Sequence, residues 1–149
     1  MTKFNRQRAF DKVTKHLLKQ GNKAMQADGC AYRTDEGLTC AIGCLIPKRA
    51  YSPLIEGNGV GVIAEPRGFL GLDPRQAPTV AACDRVAKAL GMPAKEGPRR
   101  AEIGNFLREL QHIHDLDPPE AWPYRLADFA LVNHLKLPAC VARALKAAK

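Results

Sequence analysis

Long apolar runs are missing from this chain, and none approaches the roughly 20 residues that a membrane-spanning helix requires. The first residues, Met1-Thr2-Lys3-Phe4-Asn5-Arg6, hold no apolar core of the kind a secretory signal carries. The expectation is a protein kept in a cytoplasm, with no membrane partner. Aromatic residues are scarce at 6%, with a single Trp, so a platform for stacking single-stranded bases is poorly supplied. The glycine-rich stretch Gly57-Asn58-Gly59-Val60-Gly61 lacks the Lys-Ser/Thr ending of a phosphate-binding P-loop and reads as a flexible turn. There is no internal repeat, heptad array or low-complexity tract. No nucleophile, base and oxyanion donor stand together in a catalytic template. Cysteine is present but odd in number, at five, which excludes complete internal pairing. Cytosolic thiols stay reduced, and a free Cys packs as a small hydrophobe.

What is there suits one domain spanning residues 1–149, long enough to bury a core without disulfide or metal staples. The formal charge of +8 is uneven. Residues 1–28 carry seven basic side chains against Asp11 and Asp28. Residues 102–128 are net acidic, and residues 129–149 hold four cations and no acid. Such polarity suits an anionic partner or a self-complementary surface.

Phe10, Val13 and Leu17 recur at helical spacing, which predicts an amphipathic first helix over roughly residues 5–20 with Gly21-Asn22 as its C-cap. Two apolar runs around a polar turn then predict a β-hairpin with strands near 30–33 and 38–42. Pro47 to Tyr51 fits one helical turn. Residues 52–78 are too rich in Pro and Gly for a long helix, and Val60 to Ile63 fit one short strand. Thr79 reads as the N-cap of a helix to Leu90. A longer helix follows near 99–114, with Ile103, Phe106, Leu107, Leu110 and Ile113 as its apolar stripe. Asp117 reads as the N-cap of a helix to about Asn133, and Pro138 opens a last helix over 139–148. The fold class is α+β, mostly α-helical with one small antiparallel β-hairpin.

The most patterned stretch is Cys30-Ala31-Tyr32-Arg33 followed by Cys40-Ala41-Ile42-Gly43-Cys44-Leu45-Ile46-Pro47, then Tyr51, then Glu56-Gly57. With the later Leu110, Ile113-His114-Asp115 and Trp122, this pattern resembles a group of small bacteriophage and prophage proteins. The chain departs from it after Pro47, where Lys48-Arg49 replaces the usual acid. The resemblance implies a phage context and no defined reaction.

Three readings of the polar residues follow. Cys30, Cys40 and Cys44 with His112, His114 or His134 could supply zinc ligands, or a Cys could act as a nucleophile with a His base. The favoured expectation is that these cysteines pack structurally, with no metal and no cofactor. His114-Asp115 is expected at a helix C-terminus, where a protonated His is favoured. Arg33 and Glu56 are expected as a structural ion pair. The binding candidates are Arg8, Lys12, Lys15, Lys19 and Lys23, a cationic ladder, with Arg99 and Arg100 as a second cluster. The expected activity is non-enzymatic: binding and inhibiting a host protein or protein–nucleic-acid complex, such as a nucleic-acid-guided defence complex. Direct nucleic-acid binding is the alternative, and a small cysteine- or zinc-dependent enzyme is a third.

Overall fold

The computed structural model describes residues 2–27 and 29–149. Among these, seven α-helices accompany one two-stranded antiparallel sheet, an α+β architecture dominated by helix. No helix of the described residues is long and apolar enough to cross a membrane. The chain groups into two compact units: Met1–Phe4 with Ile46–Glu109, and Asn5–Leu45 with Leu110–Lys149.

The second unit begins with α1 (Arg6–Gln20). The Asn5 side chain accepts the Arg8 N–H as N-cap, and Gly21 closes the helix at φ 68°. That left-handed residue is the C-terminal signal its sequence carried. Phe10, Val13 and Leu17 are fully buried. Phe10 stacks on Phe129 with centroids 5.5 Å apart. Phe129 lies on α6 (Trp122–Val132). α1 also packs on α7 (Ala139–Ala147). Gln7 secures the connection between α6 and α7, accepting the Lys136 N–H at 2.8 Å and donating to the Lys136 carbonyl at 3.0 Å.

The hairpin is displaced from its expected place. β1 (Met25–Gln26) pairs with β2 (Gly29–Cys30), Met25 opposite Cys30. The expected pairing of 30–33 with 38–42 shrinks to one bridge, Arg33 with Thr39. Its physical cause is that side chains take the amides a partner strand would have bonded. Gln20 Oε1 accepts from Thr39 N–H at 3.1 Å, and Gln111 Oε1 accepts from Ile42 N–H at 3.0 Å. Residues Gly43–Leu45 then close into a 3₁₀ turn. Gly43 is obligatory there, because a Cβ would overlap the Tyr32 carbonyl oxygen.

In the first unit, residues 52–78 are short pieces, as the Pro and Gly punctuation demands. The expected strand near 60–63 is instead α2 (Val60–Ala64), followed by α3 (Pro66–Leu70). Both pack on α4 (Ala77–Ala89). Val60, Ile63 and Ala64 bury at helical spacing, which a strand's alternation could not achieve. α4 starts at Ala77 and not after Thr79, since Pro78 is well placed in a first turn. α5 (Pro98–Leu116) extends two residues beyond its expected end. Asp117 does not cap α6, because a 3₁₀ turn at Pro119–Ala121 intervenes. Its carboxylate accepts from Arg125 Nε at 3.2 Å.

Candidate functional site: a cationic ridge and a Cys-His-Asp cluster

At about 100° per residue, Arg8, Lys12, Lys15 and Lys19 fall within about 60° of one another on α1. All four are exposed, opposite the buried Phe10, Val13 and Leu17. The ridge runs roughly 16 Å at the helical rise per residue. Asp11 lies at its edge, and the Gln7 amide donates to its carboxylate at 2.8 Å. No aromatic side chain of α1 shares the ridge.

The other expected cations divide. Lys23 lies beyond the Gly21 cap and is half-buried, with Nζ donating to the Asp115 carbonyl at 2.9 Å. It is a tether, not a rung of the ladder. Arg99 is exposed in the first turn of α5. Arg100 corrects the expectation: only 1% of its side chain is exposed. Its guanidinium donates to the Asp84 carboxylate at 3.3 Å, the Ile63 carbonyl at 3.1 Å and the Ala94 carbonyl at 3.2 Å, while its Nε is buried without a partner. Arg67 grips the same Asp84 at 2.7 Å and Glu96 at 3.1 Å. Partial burial alone would raise the Asp84 carboxyl, but Arg67 and Arg100 hold it below the ordinary range. Arg100 is the buried member of this charge network, which acts as a structural clamp.

The second cluster lies at the C-terminal end of α5. The ligating atoms of Cys30, His114 and Asp115 lie within 4.8 Å of one another. His114 is fully buried and stacks on Trp122, centroids 5.8 Å apart. Its Nε2 accepts the Ala24 backbone N–H at 3.0 Å, and its Nδ1 faces Asp115 Oδ1 at 2.8 Å. An N–H pointing at Nε2 requires a lone pair there, so the ring proton sits on Nδ1 and is donated to the carboxylate. Gln111 Nε2 also donates to Asp115 Oδ1, at 2.7 Å. Burial raises the Asp115 carboxyl, but hydrogen bonds from His114, Cys30 and Gln111 outweigh it and hold the group below the ordinary range.

This wiring matters for chemistry. A Cys-His-Asp triad needs the imidazole to accept the thiol proton on the nitrogen turned away from the carboxylate. Here that nitrogen faces Ala24, and the Cys30 thiol, close to Asp115, donates to Met25 Sδ at 3.3 Å. Partial burial and the Asp115 carboxylate push the Cys30 thiol up to about 11. Metal ligation through Nδ1 would displace its proton to Nε2, against the Ala24 N–H. The donor set does not fit a metal while that hydrogen bond stands. Burial pushes Cys40 and Cys44 up to about 12 and Cys83 up to about 11. Cys40 Sγ accepts the Gly43 N–H at 3.2 Å, and the Cys44 thiol donates to the Ala41 carbonyl at 3.1 Å. Both sulfurs are structural links in the 40–45 turn.

The remaining residues of the pattern are placed as follows. Tyr32 is buried. Arg33 belongs to the second unit; Tyr51 and Glu56 belong to the first, where the Tyr51 hydroxyl donates to Glu56 at 2.8 Å. His112 and His134 are exposed. The chain was compared with known proteins, and no family model, curated protein or solved structure matches it. Gln20, Asp84 and Gln111 were not singled out by sequence. Gln111 left one signal: with His114 it continues the Leu107 face of α5, so two polar groups stand on an apolar stripe.

Proposed function

We propose that this chain is a non-catalytic binding protein of phage type. It docks through the α1 ridge on an acidic surface of a host protein or protein–nucleic-acid complex and inhibits it, a nucleic-acid-guided defence complex being the kind of target meant. The observation that carries the reading is the single exposed stripe of Arg8, Lys12, Lys15 and Lys19 opposite the buried face of α1. A ridge of this kind raises encounter rates with an anionic partner and sets its register. The likeness to small phage and prophage proteins supports the host-directed part. The wiring of Cys30, His114 and Asp115 weighs against the enzyme alternative.

The same ridge favours a second reading, direct binding of duplex nucleic acid, since a row of cations follows a phosphate backbone without reading bases. Affinity capture from a bacterial lysate, with and without nuclease, separates the two. A complex that survives nuclease and is lost in the Lys12→Glu/Lys15→Glu/Lys19→Glu variant supports the inhibitor. A complex abolished by nuclease supports the second reading. Capture unchanged by the triple reversal removes α1 from either interface.

A further inference from the structure

A cavity of about 380 Å³ opens in the first unit, between segment 2–4, the connection after α4 and the start of α5. Phe4, Met92, Pro93 and Ile103 line it with apolar surface, while Lys3 and Arg99 bring charge. Among the described residues, no Asp or Glu lines it. One wall is held by backbone. Gly91 has φ +85°, and a Cβ there would come within 2.5 Å of the Thr2 carbonyl oxygen and 2.6 Å of the Phe4 nitrogen. The Phe4 N–H donates to the Gly91 carbonyl at 3.1 Å. The Phe4 ring meets Phe106 edge-on, centroids 5.9 Å apart. Met92 and Ile103 are buried core residues, so the floor does not collapse readily into the space.

The charged side chains that line this cavity are both cations. The first turn of α5 has no acid, and Arg99 stands at the end of the helix that favours anions. Arg99 Nη1 reaches Glu102 at 3.1 Å, with both side chains about half exposed. A guanidinium has five donors, so that contact leaves others for a ligand. The volume lies within the usual span of small-molecule sites, roughly 300–1,000 Å³.

We propose that this cavity binds a small amphipathic carboxylate, its head group between Lys3 and Arg99 and its apolar body against Phe4, Met92 and Ile103. The site is independent of the α1 ridge, which belongs to the other unit.

The test uses the full chain, octanoate as probe and 1-octanol as its neutral counterpart, followed by methyl NMR. Octanoate should shift the Met92 and Ile103 methyl signals saturably and bind more tightly than 1-octanol. The Lys3→Gln/Arg99→Gln variant, changed only at exposed side chains, should lose about tenfold in octanoate affinity and none for 1-octanol. Lys12→Gln/Lys15→Gln should leave octanoate binding unchanged. The proposal is overturned if octanoate leaves the Met92 and Ile103 methyls unshifted, if both probes bind alike, or if the ridge variant weakens octanoate as much as the cavity variant.

Discussion

His114 Nε2 accepts the backbone N–H of Ala24 at 3.0 Å, across a separation of 90 residues. The bond joins the end of α5 to the chain just before β1. Gln111, one turn earlier on α5, does the same for the Ile42 amide. Two side chains of one helix thus satisfy buried backbone donors in the Cys-rich segment. The chain before β1 and the turn after Thr39 are thereby tied to the same helix through buried hydrogen bonds.

His114→Ala should therefore destabilise the second unit by about 2–4 kcal/mol, through a stranded amide and a cavity beside Trp122. His114→Gln returns an acceptor and should recover part of that loss. Urea unfolding gives the magnitude. Hydrogen exchange at Ala24 tests the cause, since it should speed up in the Ala variant and much less in the Gln variant. Equal exchange in both would detach the stability loss from this bond.

Cys40→Ser should cost about 1–3 kcal/mol, because a buried hydroxyl there can still accept the Gly43 N–H but strands its own proton. Partner binding per folded molecule should survive, since no thiolate is removed. Protein purified without chelator should carry well under one zinc per chain by elemental analysis. Stoichiometric zinc, lost together with the fold in Cys30→Ser or Cys40→Ser, would contradict the structural assignment of these thiols.

Which parts of this were legible follows from where each element gets its stability. α1 and α5 were readable because an apolar stripe repeated at the helical period carries its own signal. The hairpin lies outside the reach of local pattern because Thr39 and Ile42 find acceptors on Gln20 and Gln111, which no local window contains. α2 and α3 are five residues each, too short for a periodic pattern to separate helix from strand. The cationic stripe of α1 was visible as spacing. The burial of Arg100 was not, because it depends on Asp84 and on carbonyls of Ile63 and Ala94.

Asp84 gives a pH dependence with a definite sign. Its carboxyl lies below the ordinary value of 3.8 in the folded chain. A depressed carboxylate contributes its stability in full above the unfolded value, and that contribution is lost as pH falls through the folded one. Asp84→Asn should destabilise the first unit by about 1–3 kcal/mol at neutral pH, since Arg100 keeps a buried charge without its carboxylate. The gap between variant and wild type should narrow below about pH 4, where the native carboxyl also takes up its proton. Melting curves from pH 7 to pH 2.5 measure it. A gap that stays constant across this range would mean that Asp84 acts through packing and not through charge.

The ridge on α1 predicts a salt signature that separates its possible partners. If duplex DNA is the ligand, each lysine on a phosphate contributes about 0.9 to the slope of log affinity against log salt. Lys12→Glu/Lys15→Glu/Lys19→Glu should then flatten that slope by about 3 units, roughly uniformly across DNA sequences. If the ligand is an acidic protein surface, the same variant should slow association most, with dissociation changed less. Reversing Arg125, which is tied to Asp117, should matter less in either case. Fluorescence anisotropy with a labelled 20-base-pair duplex at several salt concentrations decides the first case. Weak binding to the duplex with no slope change on triple reversal, together with a nuclease-resistant captured complex lost on that reversal, would assign the ridge to a protein partner.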